Sequence, residues 1–364
     1  MSLNILGLAA FHPNFEIDQK EAAKYAFPLS CVSEKQERTL SALYARSRIR
    51  KRSSVLMQET EGRSSYDFYR APCDSEDMGP ATSARMEKYE KFAGQLAVSV
   101  CRQALDRADL RAGEITHLVT VTCTGFYAPG FDFQIFRELG LPDSVQRTQV
   151  GFMGCQAALN ALRVAAAFAE SNQKARILIC SVELCSLHFQ YGWNPDRVVS
   201  NALFADGAGA IVGAGDQAVN LKGKHWRVKG TGSKLLPDSD DAMTWRIGDN
   251  GFVMTLSPRI PELIQRLLPG WIDGWLASFN LSRNRVASWA VHPGGTRILR
   301  AVEEALDLSE TSTAISRQVL TEHGNMSSAT MIYILEKLVV GRAPRPCVAL
   351  GFGPGLTVEG VLLE

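Results

Sequence analysis

Among the eight cysteines of the sequence there is no C-x-x-C pair. Without that spacing neither a zinc site nor a disulfide framework is indicated, so no metal is expected and a reducing, cytoplasmic setting fits best. No apolar run approaches the ~20 residues that span a bilayer, so no membrane span is expected. The N-terminal MSLNILGLAAFHPNFEID has no basic leader and reads as a first strand, not as a secretory signal. Charge of either sign is nearly absent in excess: 39 Lys and Arg against 38 Asp and Glu leave +1. So weak a field gives no reason to expect nucleic acid as a partner. Nucleotide fingerprints are missing too. The glycines of ALFADGAGAIVGAG, from Ala202, are not followed by a helix and acidic residue at dinucleotide spacing, and GTGSK at 230–234 lacks phosphate-loop spacing.

What is present is the balance of a globular protein, 46% apolar and 21% charged over 364 residues, long enough for two domains. Glu21 to Arg50 reads as a helix ending in a basic cluster of Arg46, Arg48, Arg50, Lys51 and Arg52. Five cations in seven positions exceed what solubility requires and suit a phosphate-bearing ligand. Residues 53–80 read as surface loop, and Met86 to Leu110 and Phe131 to Leu139 as helices. ITHLVTVTC (Ile115–Cys123) is a continuous β-branched run, hence a buried strand, and RILICSVEL (Arg176–Leu184) reads as another. Beyond a polar stretch the order repeats. A helix over Pro261–Phe279 leads to the strand VASWAVH (286–292), a helix over Ser327–Val340 and the strand CVALGF (347–352). The repetition predicts two similar α/β halves, 1–215 and 216–364.

In the first half GFMGCQAALNALRVAAAF (151–168) delivers Cys155 to the start of an alanine-rich helix, where unpaired N–H groups and the dipole favour a thiolate. Taken alone, such a cysteine reads equally as a small buried hydrophobe. The second half offers two partners. His292 ends a buried strand in WAVHPGG, and Asn325 lies in HGNMSSA at the start of the matching helix, where it could instead serve as a cap. A Cys–His pair can share a proton to make a nucleophile, and His and Asn can donate to a developing enolate. Papain-like proteases share the order Cys, His, Asn, and the spacing 292 − 155 = 137 fits them. The papain pattern around the cysteine is absent.

Five stretches in this order, GFMGCQAALNALR, ALFADGAGA, WAVHPGG, HGNMSSAT and GFGPGLTVE, resemble a type III polyketide synthase of the chalcone/stilbene synthase superfamily over nearly the whole chain. The resemblance implies a thiolase fold, two duplicated α/β halves in a five-layered αβαβα arrangement, and a homodimer. It implies that Cys155 carries the acyl chain while His292 and Asn325 activate it and help decarboxylate malonyl-CoA. It also marks Phe204 as a gatekeeper, and Gly294, Gly295 and Ser327 as part of the substrate site. CoA thioesters would be substrates, with no separate cofactor.

Departures from the plant pattern are informative. Met254 stands for a second gatekeeper phenylalanine, Trp245 for a cavity glycine, and Cys123 and Thr124 for threonine and serine. Cys185 and His188 replace two threonines, Ala128 replaces a methionine that reaches into the partner's cavity, and only Arg46 matches a CoA-gripping cation. They point to the bacterial branch and a fatty acyl-CoA starter, extended by several malonyl-CoA units and cyclised to an alkylpyrone or alkylresorcinol. The alternatives are a ketoacyl synthase III-like enzyme of fatty acid synthesis, a cysteine hydrolase, and a non-catalytic scaffold.

Overall fold

A run such as RILICSVEL can carry apolar residues at both alternating sets of positions only if both faces of its strand are covered. The computed structural model, which describes residues 3–60, 63–218 and 225–364, shows how that is done. In the Arg176–Leu184 strand, Ile177 and Ile179 enter one core, and Leu178, Cys180 and Val182 enter another on the opposite face. His117–Thr122 divides its side chains in the same way, Val119 and Val121 against Leu118. In the second half Ala349 joins the shared core, whereas Val348 and Leu350 face a third.

Among the described residues nine strands form one mixed sheet. Its order is Ser288–Val291, Cys347–Gly353, Thr357–Leu363, Trp226–Leu235, Leu3–Phe11, Asp206–Ala214, Arg176–Leu184, His117–Thr122 and Gln146–Gly151. The pairing pattern repeats across it. Leu3–Phe11 runs antiparallel to Asp206–Ala214, which is antiparallel to Arg176–Leu184, which is parallel to His117–Thr122. Trp226–Leu235, Thr357–Leu363, Cys347–Gly353 and Ser288–Val291 follow the same sequence of directions. The two sets meet over three residue pairs, from Leu3↔Val228 to Ile5↔Trp226.

The shared core holds the Ala157–Ser171 and Ala329–Val340 helices. Thr82–Ala108 and Phe131–Leu139 cover one outer face, and Ile260–Ala277 with Thr296–Leu306 the other. This is the expected five-layer αβαβα architecture. Alanine suits the central layer because helices sandwiched between the two halves of the sheet must be slim: Ala157, Ala158, Ala161, Ala165, Ala166 and Ala169 are all buried.

Two expectations need correction. The helix read over Glu21–Arg50 is two, Gln19–Ser30 and Glu34–Arg46, because Ser33 starts afresh by accepting from the Gln36 N–H. Residues 53–80 are not all surface: Leu56, Met57 and Tyr69 are buried, and the Tyr69 hydroxyl donates to the Ser186 carbonyl at 2.8 Å. Part of the polar connection near the midpoint, 219–224, lies outside the described residues, as do 61–62 in that loop. No helix of the described residues is long and apolar enough to cross a membrane.

Candidate active site

Cys155 sits in the turn that enters the Ala157–Ser171 helix, 8% exposed. The turn needs glycine at 154. Its φ is +93°, and a Cβ there would lie 2.3 Å from Pro354 Cδ. From behind, the Gly154 N–H donates to Cys123 Sγ at 3.1 Å. From the C-terminal GFGPG segment, Gly353 packs so closely on the Gln156 side chain that a Cβ would overlap its Oε1. The loop is thus held by the ends of strands from both halves.

Asn325 is placed by backbone bonds to the other half: its N–H donates to Leu203 C=O and its C=O accepts from Ala205 N–H, each 2.9 Å. Its side-chain Oδ1 accepts from the Ser327 N–H at 2.9 Å, a local turn ahead of the helix and not a cap, since the N-cap is Ser328 and no side chain caps it. That bond uses the oxygen only and leaves the amide N–H₂ to donate. The polar side chains of Ser327 and Asn325 flank the Cys155 thiol and favour its ionised form. His292 is held at the end of the Ser288–Val291 strand by its N–H to Leu350 C=O, 2.8 Å. It is 1% exposed, and neither ring nitrogen has a hydrogen-bond partner.

One cavity of about 620 Å³ collects Cys155, His292 and Asn325 with Phe204, Met254, Gly294, Gly295 and Arg46. A crevice of about 20 Å³ on the far side of the thiol is lined by Cys123, Thr124, Cys185, Trp245 and Ser327. A third space of about 90 Å³ lies beyond, walled by Cys185, His188, Trp245 and Phe252. Phe204 and Met254 line all three and so form the partition between them. Trp245 and Met254 face each other across the hairpin of Met243–Gly248 and Gly251–Leu256. The Trp245 indole N–H donates to Cys123 C=O at 2.8 Å, which locks the ring in the wall.

Not every expected residue is free for substrate. His188 spends both nitrogens on the fold, Nε2 on Thr124 C=O at 2.7 Å and Nδ1 on the Phe252 N–H at 3.0 Å, and its ring stacks on Phe252. The Thr124 hydroxyl donates to Glu183 and accepts from the Leu184 N–H. The basic cluster also divides: Lys51 pairs with Glu16, and Arg52 donates to the carbonyls of Asn201 and Phe204 at 2.7 Å. Arg46 and Arg48 do face outward, with Arg297, Arg300 and Arg317 around a groove of about 680 Å³ beside the cavity. Sequence reasoning missed Glu183, fully buried and holding Cys123, Thr124 and Ser328 together. Burial raises its carboxyl pKa, against hydrogen bonds from Ser328 and Cys123 that lower it. An acid inside an otherwise apolar strand was the available signal.

Burial opposes a lone charge on either reactive group. It pushes the Cys155 thiol up to about 12, while Ser327 and Asn325 pull it down. The same cause pushes the His292 imidazole down to about 3. The expected ease of ionisation therefore does not come from the turn alone. A proton passed from the thiol to the imidazole would turn two neutral groups into an ion pair, and the helix N-terminus would favour the thiolate side of it.

Comparison with known proteins agrees with this architecture. Residues 2–216 match the family described as chalcone and stilbene synthases, N-terminal domain, and residues 227–364 match its C-terminal domain. A Mycobacterium tuberculosis protein, "Alpha-pyrone synthesis polyketide synthase-like Pks18", is 34% identical over 99% of this chain and 90% of its own. The crystal structure of PKS-I from the brown alga Ectocarpus siliculosus superposes with a TM-score of 0.92 at 32% identity, covering 100% of this chain and 98% of that one. The type III polyketide synthase domain of Steely1 from Dictyostelium gives 0.88 at 27% identity, covering 100% and 99%.

Proposed function

Because the chain belongs to the chalcone and stilbene synthase family of type III polyketide synthases, we propose that Cys155, His292 and Asn325 are its catalytic triad. The observation that carries this reading is the pair of unpartnered nitrogens on a fully buried imidazole, in the same cavity as the thiol and the amide. His292 takes the Cys155 proton as sulfur attacks the thioester of an acyl-CoA starter. CoA leaves as its thiol and the acyl group stays on sulfur. Malonyl-CoA then loses CO₂, and the electrons of the broken C–C bond form an enolate whose oxygen receives hydrogen bonds from His292 and Asn325. The enolate carbon attacks the acyl thioester, forming a C–C bond and releasing the Cys155 thiolate for the next round.

The partition supports an unbranched fatty acyl starter. Trp245 fills the place a flat aromatic starter would need, while Met254 has the flexibility to let a narrow chain pass. Past it, Ala26, Leu29, Tyr44 and Phe189 line the 90 Å³ space. Each buried methylene contributes about 0.8 kcal/mol, so affinity should climb with chain length and then stop. The alpha-pyrone function in the name of the mycobacterial relative supports an alkylpyrone over an alkylresorcinol. Arg46 and the neighbouring arginines suit the phosphates of CoA. Phe126 and Met153, exposed beside the Cys155 turn, suit burial in a homodimer.

Mass spectrometry of products from a panel of acyl-CoA starters with malonyl-CoA tests the reading. The native enzyme should give fatty acyl-derived polyketides, and Cys155→Ala none, with its fold intact. Normal product from that variant, or release of free acid without extension by the native protein, would overturn it.

A further inference from the structure

Away from the catalytic cavity, a nitrogen of His12, a nitrogen of His323 and a carboxylate oxygen of Glu16 lie within 4.8 Å of one another. We propose that these three side chains bind one divalent transition-metal ion of the zinc class. Ligands on ~2.0–2.1 Å bonds at tetrahedral angles sit about 3.3 Å apart, so side-chain adjustments of roughly an ångström close the set. Three protein ligands leave a fourth position for water.

The surrounding bonds leave the right atoms spare. His12 Nδ1 is 2.9 Å from Pro13 C=O, which can only accept, and 3.2 Å from the Ser53 hydroxyl, which can accept too; a proton on Nδ1 serves both and leaves the lone pair on Nε2. His323 Nε2 lies 3.8 Å from a Glu322 carboxylate oxygen, while its Nδ1 is buried without a hydrogen-bond partner. Glu16 gives Oε2 to Lys51 and keeps Oε1 buried and unpartnered. Two orphaned buried atoms in one cluster are rare in a folded chain and call for an occupant.

The charge balance selects the class of ion. Lys51 offsets Glu16, and Lys337, 3.0 Å from Glu322, offsets the second carboxylate. With two imidazoles and one half-neutralised carboxylate, the site favours zinc, cobalt, nickel or copper over calcium or magnesium, which need several oxygens.

Sequence spacing could not reveal the site. Two ligands follow the first strand, whereas the third ends the Ala314–His323 helix more than 300 residues later. An ion there ties the connection after Leu3–Phe11 to the segment that carries Asn325, two residues beyond His323.

The test uses full-length protein, stripped with chelator, and Zn²⁺ and Co²⁺ as probes. Calorimetric titration should show one tight Zn²⁺ per chain, with a rise in melting temperature on binding. Co²⁺ should give visible d–d bands without the near-ultraviolet charge transfer of a thiolate ligand, which separates this site from the cysteines. Glu16→Gln and His12→Gln should each weaken binding by about tenfold or more and remove the melting shift, with metal-free circular dichroism unchanged. His323→Gln, which keeps a polar group of similar reach, should do the same. Absence of stoichiometric binding, cobalt–thiolate bands, or Zn²⁺ affinity indifferent to Glu16→Gln and His12→Gln would overturn the proposal.

Discussion

His188 and His292 are both buried, and burial holds both imidazoles down to about 3. By burial and titration they cannot be told apart. They differ in what their nitrogens touch. His188 has a carbonyl on one nitrogen and an amide N–H on the other, and a phenyl ring stacked on its face. His292 has nothing on either nitrogen and a 620 Å³ cavity in front of it. A satisfied buried histidine is a structural part, as fixed as a backbone turn. An unsatisfied one stores hydrogen-bonding capacity that a substrate can take up.

Exchanging the two roles should give the largest effect. His292→Gln should lower kcat/KM by at least about 10²-fold while leaving the melting temperature near that of the native protein. His188→Gln should do the reverse, costing about 1–3 kcal/mol of stability for the lost bonds, with kcat reduced less than tenfold. Steady-state kinetics and thermal melts on both variants check the crossing. Two variants that lose activity alike would erase the distinction.

Trp245 sharpens the comparison from the wall beside His188. Its ring contacts His188, Phe204 and Phe252, and its N–H holds Cys123. Trp245→Gly should cost about 3–5 kcal/mol, yet widen the range of accepted starters or lengthen the product. Melting and a starter panel report the two consequences separately. An unchanged product spectrum would mean the 90 Å³ space does not receive substrate.

A further prediction concerns the acid response of His188 itself. Its folded pKa of about 3 lies below its unfolded value of about 6.5. Between those values the unfolded chain binds the extra proton, so this contribution to stability is full above pH ~6.5 and is lost as pH falls toward 3. His188→Gln should therefore flatten the fall in stability across that window relative to the native protein. Denaturant titrations at several pH values measure it, and identical slopes would show that His188 is protonated in the folded state.

Much of the fold was legible because buried strands announce themselves. Arg176–Leu184 and Phe131–Leu139 occur at the residues read from the sequence, and the repeated strand–helix order reappears as repeated pairing. What escaped lacked a pattern. Gln146–Gly151 is an edge strand of mostly polar residues, and the Met243–Leu256 hairpin is half exposed. The Pro195–Leu203 helix did carry its start signal, Asn194 capping with Pro195 in the first turn. At the site, the residues of the glycine-rich motifs stood out, whereas bond accounting did not. No spacing rule says that His188 is spent on Thr124 and Phe252, or that Arg52 holds two carbonyls.

The claim that His292 is kept unsatisfied in order to serve Cys155 can be tested on the resting enzyme alone. The rate of Cys155 alkylation by iodoacetamide should be followed against pH in the native protein and in His292→Ala. Proton transfer to the imidazole should keep the native thiol reactive well below the unperturbed value of about 8.5. Removal of the imidazole should leave burial in command and move the profile to higher pH. Coincident profiles would contradict the account, because the thiol would then ionise without any help from His292.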